Sequence, residues 1–147
     1  MRSPDQVRWD FVQQWLGKAA RDLEAARVLL QSGLEDYENV GFHAQQAAEK
    51  YIKAFLVRHQ VEFPKVHYLD RLRIQVGQVD QDLANRLILA DALTPYGVEF
   101  RYPSDLGVVS QEQGEEALRV AEQVQGLVLG SLKVYLDAGR PEAEGSI

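Results

Sequence analysis

Residues 41–56 read GFHAQQAAEKYIKAFL. Val40, Ala44, Ala47, Tyr51 and Phe55 recur at three- and four-residue steps, the period of an amphipathic helix. Ala48 and Ala54 add small residues suited to close packing. His43, Gln46, Lys50 and Lys53 follow the same period and fall within about 80° of one another on a helical wheel. They form a polar ridge beside the core stripe. A histidine, an amide and two ammonium groups suit an anionic ligand such as a phosphate. The competing reading is a solvated face in which Glu49 pairs with Lys53 at i,i+4. Spacing alone favours the solvated face.

The flanking sequence is helical too. A first helix is expected from Asp5 or Gln6 to Gln31, with Val12, Trp15, Leu16, Ala19, Leu23, Ala26 and Leu30 inward and Gly33 just beyond its end. The second spans Tyr37 to His59 and closes at Phe63-Pro64. A short helix covers Tyr68 to Val76, with Leu69, Leu72 and Val76 inward. A fourth, Asp80 to Leu93, is apolar nearly all round. Such a helix is buried centrally or shared with another subunit. Thr94-Pro95-Tyr96-Gly97 stops it, and VEFRYPSDLGVV is irregular. The last helix begins near Ser110, where Ser110 and Gln113 match a capping box, and ends near Asp137. Glu35, Asp36 and Glu38 are capping charges of the second helix. No stretch alternates with period two long enough to demand a sheet. The expected architecture is all-α: an up-and-down bundle of four main helices plus one short one.

The chain has 147 residues, which suits one domain with one core. That core covers about residues 9–136, and 138–147 form a polar tail expected to fray. The net charge of −6 argues against a general grip on nucleic acid or anionic membrane, while leaving room for a local basic site. There is no cysteine, hence no disulfide framework and no thiolate chemistry. The N-terminus lacks an apolar signal-peptide core. No apolar run approaches the roughly 20 residues that span a bilayer. A cytoplasmic protein away from membranes is expected.

Outside the ridge, His67 sits at the start of the short helix, where it could meet an anion or brace the loop. Arg101 and Tyr102 lie in the irregular stretch. Arg101 offers a bidentate phosphate fork and Tyr102 a stacking face. Alternatively Tyr96 and Tyr102 cover the bundle end. Gly-rich phosphate loops, HExxH and EF-hand patterns are absent, and the three histidines lack metal-ligand spacing. Neither a metal nor a cofactor is expected. Phe42, Ile52 and Leu56 fall away from the main stripe of the second helix, as do Val120, Leu127 and Val134 on the last. A homodimer or a partner protein would bury that extra surface.

FHAQQAAEKYIKAFL, the following EFPKVHYLDRL, the FRYP segment and the long closing helix together resemble the HEPN domain, an all-helical family associated with nucleotide binding. The resemblance runs from about Trp9 to Leu136. Tyr68 stands where the family's His-Asp-Leu element has an acidic residue. The resemblance implies a bundle that is usually dimeric. It also implies a nucleotidyltransferase subunit as partner, in a toxin–antitoxin-like pair. Carried over, the nucleotide-binding positions are His43, Lys50, Lys53, His67, Arg101 and Tyr102. Members that cut RNA carry Arg followed by His after four to six residues. No arginine here has that spacing: Arg58 adjoins His59, and eight residues separate it from His67. A metal-independent endoribonuclease is therefore the disfavoured alternative, and a purely structural helical dimer is the other.

Overall fold

In the computed structural model, residues 1–65, 68–97 and 107–143 are described. Among them every regular element is helical, six α-helices and one 3₁₀ helix: α1 (Pro4–Leu30), α2 (Glu38–Arg58), α3 (Leu69–Val76), α4 (Gln81–Arg86), the 3₁₀ helix (Leu87–Tyr96), α5 (Gln111–Ser131) and α6 (Lys133–Ala138). The all-α expectation holds.

Capping chemistry sets the ends. Ser3 and Gln6 exchange the two hydrogen bonds of a capping box at α1, with Pro4 in the first turn. The sequence-derived box of Ser110 and Gln113 starts α5 in the same way. Helix α2 has no side-chain cap on its first residue. Instead the Asp36 carboxylate accepts from the amides of Glu38 (2.9 Å) and Val109 (3.1 Å), tying the start of α2 to the entry of α5.

Helix α2 lies at the centre, packed against α1, α3, α5 and the 3₁₀ helix. That position corrects one expectation. Ile52 and Leu56 are fully buried within the chain, and Phe42 is half-buried. A helix with neighbours on several sides needs two apolar faces, so these residues give no argument for a partner. On the closing helices Val120 is buried and Leu127 packs at the margin of the core, whereas Val134 is 85% exposed.

Gly41 marks the tightest approach to α2. A Cβ built there would lie 2.3 Å from a ring carbon of Tyr96. Tyr96 thus covers the N-terminal end of α2; Tyr102, which one sequence reading paired with it there, lies outside the described residues.

The expected fourth helix is α-helical for one and a half turns and then tightens. In a 3₁₀ helix, residues three apart share a face. Leu87, Ala90 and Leu93 are that face and are buried, while Ile88 is half-exposed. The segment is therefore one-sided, not buried all round. The closing helix has a one-residue interruption at Leu132, bridged by Leu132 N–H to Val128 O (3.0 Å) and Leu136 N–H to Leu132 O (2.8 Å). The tail is held rather than frayed as far as Pro141. Arg140 bonds Asp10 at 3.0 and 3.2 Å, and the Gln6 amide donates to Pro141 O at 3.1 Å. No helix among the described residues is long and apolar enough to cross a membrane.

Candidate functional site

The polar residues of α2 divide into two sets. The first reaches across to α1. His43 Nδ1 lies 3.0 Å from Asp22 Oδ1, and Lys50 Nζ donates to Asp22 Oδ2. Lys50 follows His43 by two helical turns, so both side chains leave the same face of α2 and close on one carboxylate. The cluster sits at the seam between the helices: the side chains of Asp22, Lys50 and His43 are 15%, 21% and 30% exposed. The edge of the Phe42 ring packs on the imidazole.

The second set is interior. Gln45, Glu49 and Lys53 follow one another at four-residue steps and are each 5% exposed or less. Lys53 Nζ is 3.2 Å from Glu49 Oε2 and lies against two ring faces, Trp15 at 5.2 Å and Phe63 at 5.6 Å. The neighbouring Gln46 amide donates to Gln45 Oε1 at 2.7 Å. The Glu49–Lys53 pair foreseen for a solvated face therefore exists, but out of solvent.

A buried ion pair is expensive. Desolvation offsets most of its Coulomb attraction, and an apolar pair of similar volume often does as well or better. A buried salt bridge is therefore weak evidence for stability. Each ammonium faces one carboxylate: Lys50 faces Asp22, and Lys53 faces Glu49.

His43, Lys50 and Lys53 thus belong to one continuous polar face of α2. His67, Arg101 and Tyr102 lie outside the described residues. Sequence reasoning missed Asp22, Gln45 and the packing of Lys53 against the Trp15 and Phe63 rings, and it had placed the Glu49–Lys53 pair in solvent. Asp22 had one usable signal: it sits three residues after Ala19 and four before Ala26, on the margin of the α1 stripe.

The other polar groups of α2 are elsewhere. The Gln125 amide donates to Tyr51 OH at 2.9 Å, and burial pushes the Tyr51 phenol up. Arg58 stacks on Tyr135, 4.1 Å from the ring centroid, and His59 packs on Phe55 at 4.5 Å. Burial, aided by the Arg58 charge and opposed by Asp80, pulls the His59 imidazole below its ordinary value. Sixteen residues from His43, this end of the helix is about 24 Å from the Asp22 cluster.

The model of the HEPN domain matches residues 12–131. The chain belongs to the HEPN family. A protein of Methanocaldococcus jannaschii named "Putative toxin MJ1304" is 28% identical over 138 residues, covering 84% of this chain and 89% of that protein. The crystal structure of ST0689, an archaeal HEPN homologue, superposes with a TM-score of 0.60 at 22% identity, over 82% of this chain and 97% of that one. That likeness concerns the fold. The HEPN match includes all of α2 and α1 from Val12 onward, and so covers Asp22, His43, Lys50 and Lys53.

Proposed function

We propose that this HEPN protein binds a nucleotide or related phosphate-bearing ligand on the polar face of α2. In this reading it is an accessory module to a nucleotidyltransferase partner, within a toxin–antitoxin-like pair. The observation that carries the reading is the buried row Gln45, Glu49 and Lys53, continued to the surface by Gln46, Lys50 and His43. Burying amide and ionic groups in a helix core is expensive, and a ligand-facing role gives a reason to keep them there. The relative named a putative toxin supports the toxin-like part of this reading; the nucleotidyltransferase partner rests on the family resemblance alone.

Lys50 and Lys53 are already matched by Asp22 and Glu49. Phosphate recognition therefore draws on Arg101, with His67 orienting and Tyr102 stacking on the base, and α2 supplies the polar floor. Thermal-shift titration with ATP, AMP and GTP tests the reading. A saturable rise in Tm is expected in the wild type and a reduced one in Arg101→Ala. No rise with any nucleotide, or an undiminished rise in Arg101→Ala and in Lys50→Ala, would overturn it.

A further inference from the structure

The Asp22 carboxylate does more than neutralise Lys50. An imidazole nitrogen 3.0 Å from a carboxylate oxygen must carry the proton it shares. Nδ1 is therefore the N–H nitrogen of His43. In the neutral ring Nε2 is then a bare lone pair. No other described group bonds to His43, and its side chain is the most exposed of the three. The other carboxylate oxygen holds Lys50 Nζ, and an ammonium group has three hydrogens, of which Asp22 takes one. Two side chains on one face of α2 thus present an acceptor and a donor, both anchored on a single carboxylate of α1.

A bare ring nitrogen has no hydrogen to donate to a phosphate, whereas two adjacent hydroxyls can serve an acceptor and a donor anchored on one carboxylate. One hydroxyl gives its hydrogen to Nε2, and the neighbouring oxygen accepts from Nζ. We propose that Asp22 is a positioning residue that fixes His43 and Lys50 as a receptor for a cis-diol, and that the diol is the ribose of the bound nucleotide. The identity of the diol rests on the nucleotide reading above. The proposal assigns α2 to the sugar, and so separates it from the charge-bearing phosphate contacts.

The test has two arms. Long-range ¹H–¹⁵N NMR of the full chain above neutral pH reports the His43 tautomer. Protonated Nδ1 with bare Nε2 is expected in the wild type. Asp22→Asn, which is isosteric and offers an amide in place of a carboxylate oxygen, is expected to lose that preference. Calorimetric titration then compares ATP with its 2′-deoxy and 3′-deoxy analogues. One hydrogen bond at a partly exposed site corresponds to about 3- to 10-fold in affinity, so each analogue is expected to bind that much more weakly. In Asp22→Asn the difference should vanish while ATP still binds. An Nε2–H tautomer in the wild type, or equal affinity for the three nucleotides, overturns the proposal and leaves nucleotide binding standing. Binding of none of them overturns both. Should Asp22→Asn fail to fold, the wild-type tautomer and the deoxy comparison still decide.

Discussion

Helices α2 and α5 have the same length, 21 residues each, and are stabilised in opposite ways. Helix α5 carries its instructions locally: a capping box at Ser110 and Gln113, a single buried stripe, and an exposed side lined by pairs such as Arg119 with Glu116. Helix α2 opens without a side-chain cap of its own and buries 13 of its residues, Gln45, Glu49 and Lys53 among them. Its stability comes from neighbours, and it carries the polar side chains proposed to bind ligand. The comparison teaches that a helix surrounded by others can hold charges in place that a one-sided helix would leave to solvent.

The sharpest way to break this contrast is to remove one ion from each helix. Taking one partner out of a buried ion pair costs about 3–5 kcal/mol. Lys53→Ala removes the ammonium that faces Glu49, and an effect of that size is expected in urea unfolding. Arg119→Ala, on the exposed side of α5, should leave the urea midpoint unchanged. Equal effects of the two substitutions would mean that the α2 row is not energetically interior.

Next in size is Gly41→Ala. The added methyl would meet the Tyr96 ring near its base, at 2.3 and 2.6 Å, so the whole ring must swing away. Overpacking of this kind costs about 1–3 kcal/mol. The nearest contrast on α5 is Gly126→Ala, where a Cβ has open space and a helix-favouring residue replaces glycine. Chemical denaturation should show loss at 41 and no loss at 126. Loss at neither position would show that Tyr96 yields without cost and that α2 is less tightly enclosed than its burial indicates.

Ser110→Ala probes the local side of the contrast. Losing an N-cap side chain costs about 0.5–2 kcal/mol, and the amide of Gln113 then lacks its hydroxyl acceptor. The expected unfolding shift is smaller than that of Lys53→Ala. A larger one would mean that the entry of α5 also holds up the start of α2, through the Asp36 bond to Val109.

What was legible in the sequence follows the same division. The α5 cap, the α1 stripe and the inward Leu69, Leu72 and Val76 are short-range patterns, and periodicity finds them. The 3₁₀ helix was also written there, since Leu87, Ala90 and Leu93 recur every three residues. Over a segment that short, a period of 3.0 is hard to tell from 3.6. The inward placement of Ile52 and Leu56 was not legible, because it depends on how many helices surround α2. The Asp22 bridge was least legible of all. It joins residues 21 and 28 positions apart, and it depends on the axial register of α1 against α2.

The smallest expected effect lies at the end of α2. A helix C-terminus ordinarily favours a protonated histidine, yet burial and Arg58 together lower the His59 imidazole. Enclosure outweighs the local helix field there, in keeping with the rest of α2. The sign follows from linkage. Folded His59 binds its proton less readily than unfolded His59, so its contribution to stability is present above the ordinary value of about 6.5. That contribution is lost as pH falls through the lowered folded value. Urea midpoints measured from pH 7.5 downward should decline in the wild type, and His59→Gln should flatten part of the decline. Helix α5 has no histidine, so Ser110→Ala should shift the whole curve down and leave its slope intact. A steeper slope in His59→Gln would reverse the sign and place the helix field ahead of burial at this end.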